Sequence, residues 1–349
     1  HDLYLSFSIV IYKFNVLPLP LPLLLFLVSY LKGFDSNSSS NGFFEVRIPT
    51  YNEAGRINWE LHADELDKLD EGIYSAQNPK MFILEDQRLA TVANSNTGFF
   101  NLGQGLAKGR EHLFVEGDGF EAIGRPWTFE ENITDARNCL AFSEQGKIGF
   151  ESQVNAGFVG VSDEGVIKRS KKSKPSSTAD DIDSIDWPNF SKDFPTTAYG
   201  RKIHIFDLGD GRRRFLLQTD VLIEMQDMES NGSDPEISTI SCDWAELFLG
   251  SDGNSSTNLF GSISKIHALG NVKLNQPLRE SSADELKWSE ESGQVNLHGN
   301  AKVSHQKWGV AMGEHIILLE EDGRAEVIGG NKGRSKLLLP ALNKTNATQ

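Results

Sequence analysis

Cysteine is scarce in this chain of 349 residues, which contains only Cys139 and Cys242. Two cysteines are too few for a disulfide framework, and neither has a second cysteine at zinc-ligand spacing. We therefore expect two small buried residues, with one disulfide between them as the alternative. Positive charge is also limited, since 34 Lys and Arg stand against 49 Asp and Glu, a net charge of −15. This balance argues against a nucleic-acid partner, because phosphates require a clustered positive surface.

Motifs for catalysis and cofactor binding are lacking as well. The glycines of Gly103–Gly109 have the wrong spacing for a dinucleotide loop, and Gly329–Gly333 lacks the Lys-Ser/Thr that holds phosphate and magnesium. Ser262 lacks the second glycine of a nucleophile elbow. Carboxylates such as Glu130 and Glu131 are numerous, but nothing singles out a glycosidase pair. We expect no enzymatic activity, no catalytic residue and no cofactor.

Three histidines, His298, His305 and His315, lie close together in the sequence. Their spacing does not place them on one face of a strand, and no Cys or acidic partner stands at a diagnostic interval. We expect solvent-facing strand histidines and no metal site.

No stretch carries a sustained helical stripe, whereas short apolar and polar alternations separated by Gly and Asx turns fill the chain after residue 42. Two of these alternations, Leu269–Leu274 and Leu297–Val303, are near-copies that share Gly-Asn. An Ala-Glu-Leu or Ala-Asp-Glu-Leu sequence precedes each, at Ala245–Leu247 and Ala283–Leu286, and the tetrapeptide also occurs at Ala63–Leu66. Such repetition predicts an all-β chain with strands stacked as successive rungs, in two similar segments.

The N-terminal region has a different composition, because Leu17–Leu31 is apolar and follows Lys13. Pro18, Pro20 and Pro22 favour a signal-type segment over a full span, but no Ala-x-Ala cleavage site follows. We expect a hydrophobic helix that anchors the protein to a membrane, with a cleaved signal peptide as the alternative.

Composition shifts divide the chain into six parts. The predicted parts are a membrane anchor or signal segment at 1–32, a Ser/Asn-rich tether at 33–42, a β-domain at 43–162, a charged linker at 163–198, a second β-domain at 199–340 and a tail at 341–349.

The first β-domain contains four distinctive stretches, namely Phe44–Arg56, the Trp-Glu-Leu-His-Ala-Asp of Trp59–Asp64, Asn78-Pro79, and Leu113–Phe120 with Trp127. In these residues it resembles the LptC-like periplasmic proteins of lipopolysaccharide export. The second β-domain resembles the OstA/LptA group of the same export system, through Ala283–Val303 and Asp322–Gly330. The chain departs from a simple LptC-like protein in carrying this second domain and the long linker.

This resemblance implies a β-jellyroll fold and a non-enzymatic carrier of lipopolysaccharide in the periplasm, tethered to the inner membrane. It also implies partners that pair through strand edges, namely an inner-membrane ABC transporter complex and periplasmic bridge proteins. Inward residues of the jellyroll would line a trough for acyl chains. The alternating apolar residues assigned to that face are Phe82, Leu84, Leu113, Val115, Ile266, Val272, Leu274, Val295, Leu297 and Val303. For each residue, the alternative interpretation is an ordinary packed core.

Two rival functions share these signals. A structural or adhesive envelope protein would have the same strands without a bound lipid. A polysaccharide-active enzyme would require a cleft with paired carboxylates and aromatic platforms, for which the candidates are Trp127, Trp187, Trp244, Trp288 and Trp308.

Overall fold

The computed structural model describes residues 42–52, 54–85, 88–151, 194–226, 237–250, 263–306, 309–319, 324–329 and 335–338. Within these ranges the chain forms strands and turns and no helix, and the strands join in one large antiparallel sheet. The prediction of an all-β chain is therefore confirmed for this part of the protein. The expected N-terminal helix lies outside the described residues. Among the described residues, no helix is long and apolar enough to span a bilayer.

Within the described ranges, twenty strands make up the sheet. In chain order they are β1 (Gly42–Tyr51), β2 (Ile57–Asp70), β3 (Ile73–Gln77), β4 (Lys80–Glu85), β5 (Arg88–Ser95), β6 (Thr97–Asn101), β7 (Leu106–Gly109), β8 (Leu113–Gly117), β9 (Phe120–Ile133), β10 (Ala136–Phe150), β11 (Thr196–Gly200), β12 (Lys202–Gly209), β13 (Arg212–Gln226), β14 (Ile237–Leu249), β15 (Ile263–Gln276), β16 (Arg279–Ser289), β17 (Gln294–His305), β18 (Gly309–Leu319), β19 (Arg324–Ile328) and β20 (Lys336–Leu338).

Long strands change register at one shared level, which we call the bend line. From β13 to β18 each strand pairs with the next, and every pairing has an irregularity near its middle. The long strands β2, β9 and β10 have different short partners on the two sides of this level. For example, β2 pairs with β4 before it and with β3 after it. Bulges of this kind bend a strand, and because they lie at the same level in successive strands, the whole sheet is folded along one line.

The bend line divides the sheet into two walls. Wall A consists of β4, β5, β8, β11 and β20 with residues 46–51, 57–62, 120–124, 146–150, 221–226, 237–242, 272–276, 279–283, 301–305 and 309–312 of the long strands. Wall B consists of β3, β6, β7, β12 and β19 with the remaining segments of those strands. Inward residues of both walls form one apolar cluster, and rings meet across it, as in the 5.8 Å separation of the Trp59 and Phe129 centroids.

The sheet is continuous through the middle of the chain. Strand β10 pairs with β9 on one side, and with β11 and β12 on the other. Backbone hydrogen bonding therefore joins the N-terminal half, β1–β10, to the C-terminal half, β11–β20. Each wall runs through both halves.

The Gly-Asn pairs of the two near-copies lie on the bend line. Gly270 and Asn271 have φ angles of 76° and 50°, and Gly299 and Asn300 have φ angles of 72° and 49°. Glycine and asparagine adopt this left-handed region more readily than other residues. The dipeptide that interrupts the apolar alternation is thus the bulge at which the strand turns from one wall to the other.

Candidate functional site

The candidate site is the apolar interior between the two walls. Eight of the ten residues predicted to face inward are there, with side chains at most 5% exposed: Leu113, Val115, Ile266, Val272, Leu274, Val295, Leu297 and Val303. They extend from β8 in the N-terminal half to β17 in the C-terminal half. In the described state these side chains pack against one another, so access for a ligand requires the walls to move apart.

The inward orientation predicted for Phe82 and Leu84 is wrong. Both side chains are only partly buried, whereas Met81 and Ile83 of the same strand are 1% and 5% exposed and belong to the core. Phe82 instead lies on the outer face, where its ring contacts His62 at a centroid distance of 4.5 Å. The sequence Met-Phe-Ile-Leu is apolar at every position, so its pattern does not specify which pair faces inward.

Aromatic rings fill the interior of the N-terminal half. The largest buried side chains include Trp59, Phe100, Trp127, Phe129 and Phe142, each at most 1% exposed. Several rings occupy space that a neighbouring glycine leaves free. A Cβ at Gly109 would overlap the Trp127 indole, and a Cβ at Gly124 would overlap the Phe142 ring. Such interlocking makes this half of the interior a tightly fitted core.

The interior of the C-terminal half has another character, since its inward residues between β14 and β18 are mainly aliphatic. They include Ala245, Leu247, Ile266, Ala268, Leu286, Leu297, Ala301 and Ile316, each at most 1% exposed. Trp288 is the large aromatic side chain among these inward positions, with 5% exposure.

Each wall has a free margin, which is its side away from the bend line. Where the interior reaches the two free margins, charged residues replace apolar ones. Arg213, Phe215 and Leu217 are alternate residues of β13 on wall B, and all three side chains point inward. Arg213 is 3% exposed. Its guanidinium lies 3.1 Å from Asp207 of the same wall and 3.6 Å from Glu85 of wall A. The amide of Gly211 also donates to Glu85, at 3.0 Å. We call Glu85, Asp207 and Arg213 the margin cluster, because it ties the free margins of the walls together.

A second polar contact joins the walls farther toward the N-terminus. Glu131 of wall B accepts a hydrogen bond from Asn58 Nδ2 at 2.7 Å and another from Trp59 Nε1 at 3.2 Å, both on β2 of wall A. A Cβ at Gly105 would overlap the Glu131 side chain, so that carboxylate is closely packed. The N-terminal half is therefore held closed by charge-assisted hydrogen bonds as well as by its rings.

Two of the three histidines, which were not expected to share one face, are neighbours on the outer face of wall B. His298 and His315 are directly opposed in the pairing of β17 with β18, and their rings stack with centroids 3.9 Å apart. Sequence spacing alone missed this pair, because the hairpin between them brings the residues together. Burial and the nearby His298 lower the pKa of His315. Within the described ranges, no group of three or more His, Cys, Asp or Glu side chains is arranged to hold a metal ion.

Tryptophans named as platforms for a polysaccharide lie in different environments. Trp127 and Trp288 are buried in the interior, whereas Trp244 lies on the outer face with its ring 5.4 Å from that of His267. Trp187 and Trp308 lie outside the described residues. The described tryptophans therefore do not form one exposed row.

Exposed apolar side chains mark both edges of the sheet. At the first edge, β1 carries Phe43 and Phe44, which are 42% and 66% exposed. At the last edge, Leu337 and Leu338 of β20 are 65% and 58% exposed. Among the described strands, β1 pairs only with β2, and β20 pairs only with β18.

Comparisons with known proteins find no family model and no curated protein that matches this chain.

Proposed function

We propose that this protein is a non-enzymatic carrier that holds the acyl chains of lipopolysaccharide between its two walls, within a jellyroll of the LptC and OstA kind. The observation that carries the proposal is the apolar interior, which continues through both halves between two walls joined along one bend line. A jellyroll is consistent with this folded sheet, since it too encloses an elongated core between two antiparallel layers.

Apolar burial supplies enough free energy for such a role. Transfer of one methylene from water to an apolar interior is worth about 0.8 kcal/mol. A chain of about a dozen carbons therefore gains on the order of 10 kcal/mol before the costs of ordering and immobilisation. Lipid carriage at this level needs neither a nucleophile nor a cofactor. Energy for directed movement would come from an ATPase in a partner complex.

The two edge strands of the sheet are the proposed sites at which partner proteins pair. Among the described strands, β1 pairs only with β2 and β20 only with β18, so each would accept a strand from another protein on its other side, and the exposed Phe44 and Leu338 would add apolar contact there. By resemblance, β1 would dock on the periplasmic part of an inner-membrane ABC transporter complex, and the last edge would dock on a periplasmic bridge protein.

Lipid capture in a Gram-negative envelope tests the function. Native mass spectrometry of the full chain, purified in mild detergent, should detect a bound species with the mass of lipid A or lipopolysaccharide. A photo-crosslinking amino acid at Leu297 or Val303, both inward, should capture that lipid, whereas one at Lys302 or His298 on the outer side should not. Equal capture at the two sets, or no bound lipid, would favour the structural or adhesive alternative.

Localisation follows from the same proposal. The segment 1–32 would hold the protein at the inner membrane, and 33–42 would let the β-sheet stand away from the bilayer. Edman sequencing of the mature protein separates the alternatives, because a new N-terminus between Ser29 and Asn41 would indicate a cleaved signal peptide.

A further inference from the structure

We infer that three phenylalanines, Phe120, Phe150 and Phe215, divide the interior at the junction of the two halves, and that acyl chains occupy only the aliphatic C-terminal compartment. The inference rests on the proposed function and specifies its binding site. We call these three residues the ring plug, and the inward residues from β14 to β18 the aliphatic compartment.

The ring plug joins the walls across the interior. Phe120 and Phe150 are paired neighbours on β9 and β10 of wall A, and Phe215 belongs to β13 of wall B. The Phe215 ring lies 5.0 Å from Phe120 and 5.1 Å from Phe150, edge-on to both. All three side chains are at most 1% exposed. Since the walls are in ring contact at this point, an acyl chain cannot pass unless the plug separates.

The margin cluster lies next to the ring plug, on the side toward the free margins of the walls. Arg213 precedes Phe215 by two residues and so lies on the same inward face, directly between the ring plug and the free margin. Its ion pair with Glu85 links the two walls there, and its ion pair with Asp207 lies within wall B. Separation of the walls would break the buried Arg213–Glu85 ion pair, which is unfavourable because the Glu85 carboxylate would lose its charged partner on wall B. The plug is therefore held closed by an ionic contact between the two walls as well as by its rings.

The two compartments differ in how readily they would admit a chain. Rings such as Trp127 against Gly109 and Phe142 against Gly124 are closely fitted in the N-terminal interior, so inserting a chain there would require these rings to shift. In the aliphatic compartment, residues such as Ala268, Leu297 and Ala301 are buried in a cluster whose other members there are mainly aliphatic. An acyl chain inserted between them replaces these contacts with others of the same kind, so little dispersion energy is lost.

Photolabelling of the full chain with a diazirine-bearing palmitate, followed by peptide mapping, tests the inference without mutation. Labels should fall on peptides of β14–β18 and be absent from inward residues of β2–β9. Labels distributed over both halves would overturn the ring plug but leave acyl binding intact. A protein that takes up no label in either half would contradict the proposed function itself.

Two variants test the barrier directly. Phe215→Ala should extend palmitate labelling severalfold into β9 and β10, because it removes the ring that bridges the walls. Glu85→Gln weakens the seal without creating a cavity and should produce a smaller spread in the same direction. Strand content measured by circular dichroism verifies that each variant is folded. Labelling confined to β14–β18 in both folded variants would show that the ring plug and its seal are not the barrier.

Discussion

Asn300 donates a hydrogen bond to Asp284, with Nδ2 2.9 Å from Oδ2, at the point where β17 crosses the bend line beside β16. The same contact joins Asn271 to Asp243 at 2.8 Å. A third example in the N-terminal half joins Asn78 to Asp64, also at 2.8 Å. The same contact is therefore repeated at the bend line, where an aspartate on one rung accepts a hydrogen bond from an asparagine of the next rung.

Substitution of the corner glycine should be costly. Gly299→Ala places a Cβ that overlaps the Asp284 carboxylate, at a residue whose φ is 72°. The backbone strain costs about 1 kcal/mol and the overlap adds about 1–3 kcal/mol to the loss of unfolding free energy. Gly293→Ala is the matched control, because φ there is 58° and no atom lies within 4 Å of the added Cβ. Urea unfolding of both variants measures the loss of unfolding free energy. Equal losses would show that the overlap with Asp284 does not contribute to the destabilisation.

The repeats were visible in the sequence, but their alignment was not. In the sequence, Ala245-Glu246-Leu247 looked equivalent to Ala283–Leu286. In the sheet, however, Trp244 and Glu285 lie opposite Leu269 on its two sides, so these two residues are at the same level. Two residues earlier, Cys242 therefore occupies the place of Ala283. Alternation predicts that strands exist and, at most sites, which face is buried. It cannot predict which strand lies beside which, because that depends on pairing between residues far apart in sequence.

The same reason explains what could and could not be predicted for the candidate site. Val295 and Leu297 alternate with polar neighbours, so their inward orientation followed from the pattern. Phe82 lies in a run without alternation, and its orientation did not follow. The margin cluster was invisible for a further reason, since Glu85 and Arg213 are separated by more than a hundred residues and meet only through the fold.

Breaking the margin cluster should cost far more stability than breaking an exposed ion pair. Arg213→Met leaves the Asp207 and Glu85 carboxylates without their buried partner, for which a loss of about 3–5 kcal/mol is expected. Arg201→Met removes an ion pair with Asp220 of 2.6 Å whose side chains are both 68% exposed. An exposed pair of this kind contributes about 0–1 kcal/mol. Chemical unfolding measures both, and similar losses would contradict a stabilising role for the margin cluster.

Stability should also fall on acidification through His315. Burial and the charge of His298 lower the pKa of His315, so the folded state favours its neutral form. A group of this kind contributes stability above its ordinary pKa of about 6.5, and the contribution is lost as pH falls through the lowered value. His298→Asn should raise the pKa of His315 toward its ordinary range by removing the second charge. Titration of the histidine ring signals by NMR measures the change, and an unaltered His315 would exclude coupling between the stacked rings.

Both thiols should react slowly in the folded protein. Cys139 and Cys242 are free, and burial raises their pKa values to about 11 and about 12. Since the thiolate is the reactive form, labelling by a disulfide reagent at pH 8 should be slow, with the half-buried Cys139 ahead of the buried Cys242. Unfolding in guanidinium should release two reactive thiols without reductant. Failure to release them would indicate the disulfide that the folded structure lacks.

Proline substitution in the terminal strand tests assembly through the last edge. Adjacent residues of an antiparallel strand direct their N–H groups to opposite sides, so of Leu337 and Leu338 one donates toward β18 and the other away from it. Leu338→Pro and Leu337→Pro therefore form a matched pair, in which one variant loses a hydrogen bond within the sheet and the other loses only a donor available to a partner. We expect one variant to lose capture of the bridge protein in an envelope pull-down while its unfolding midpoint stays that of the wild type. Unchanged capture by both variants would show that this edge does not pair with the bridge protein.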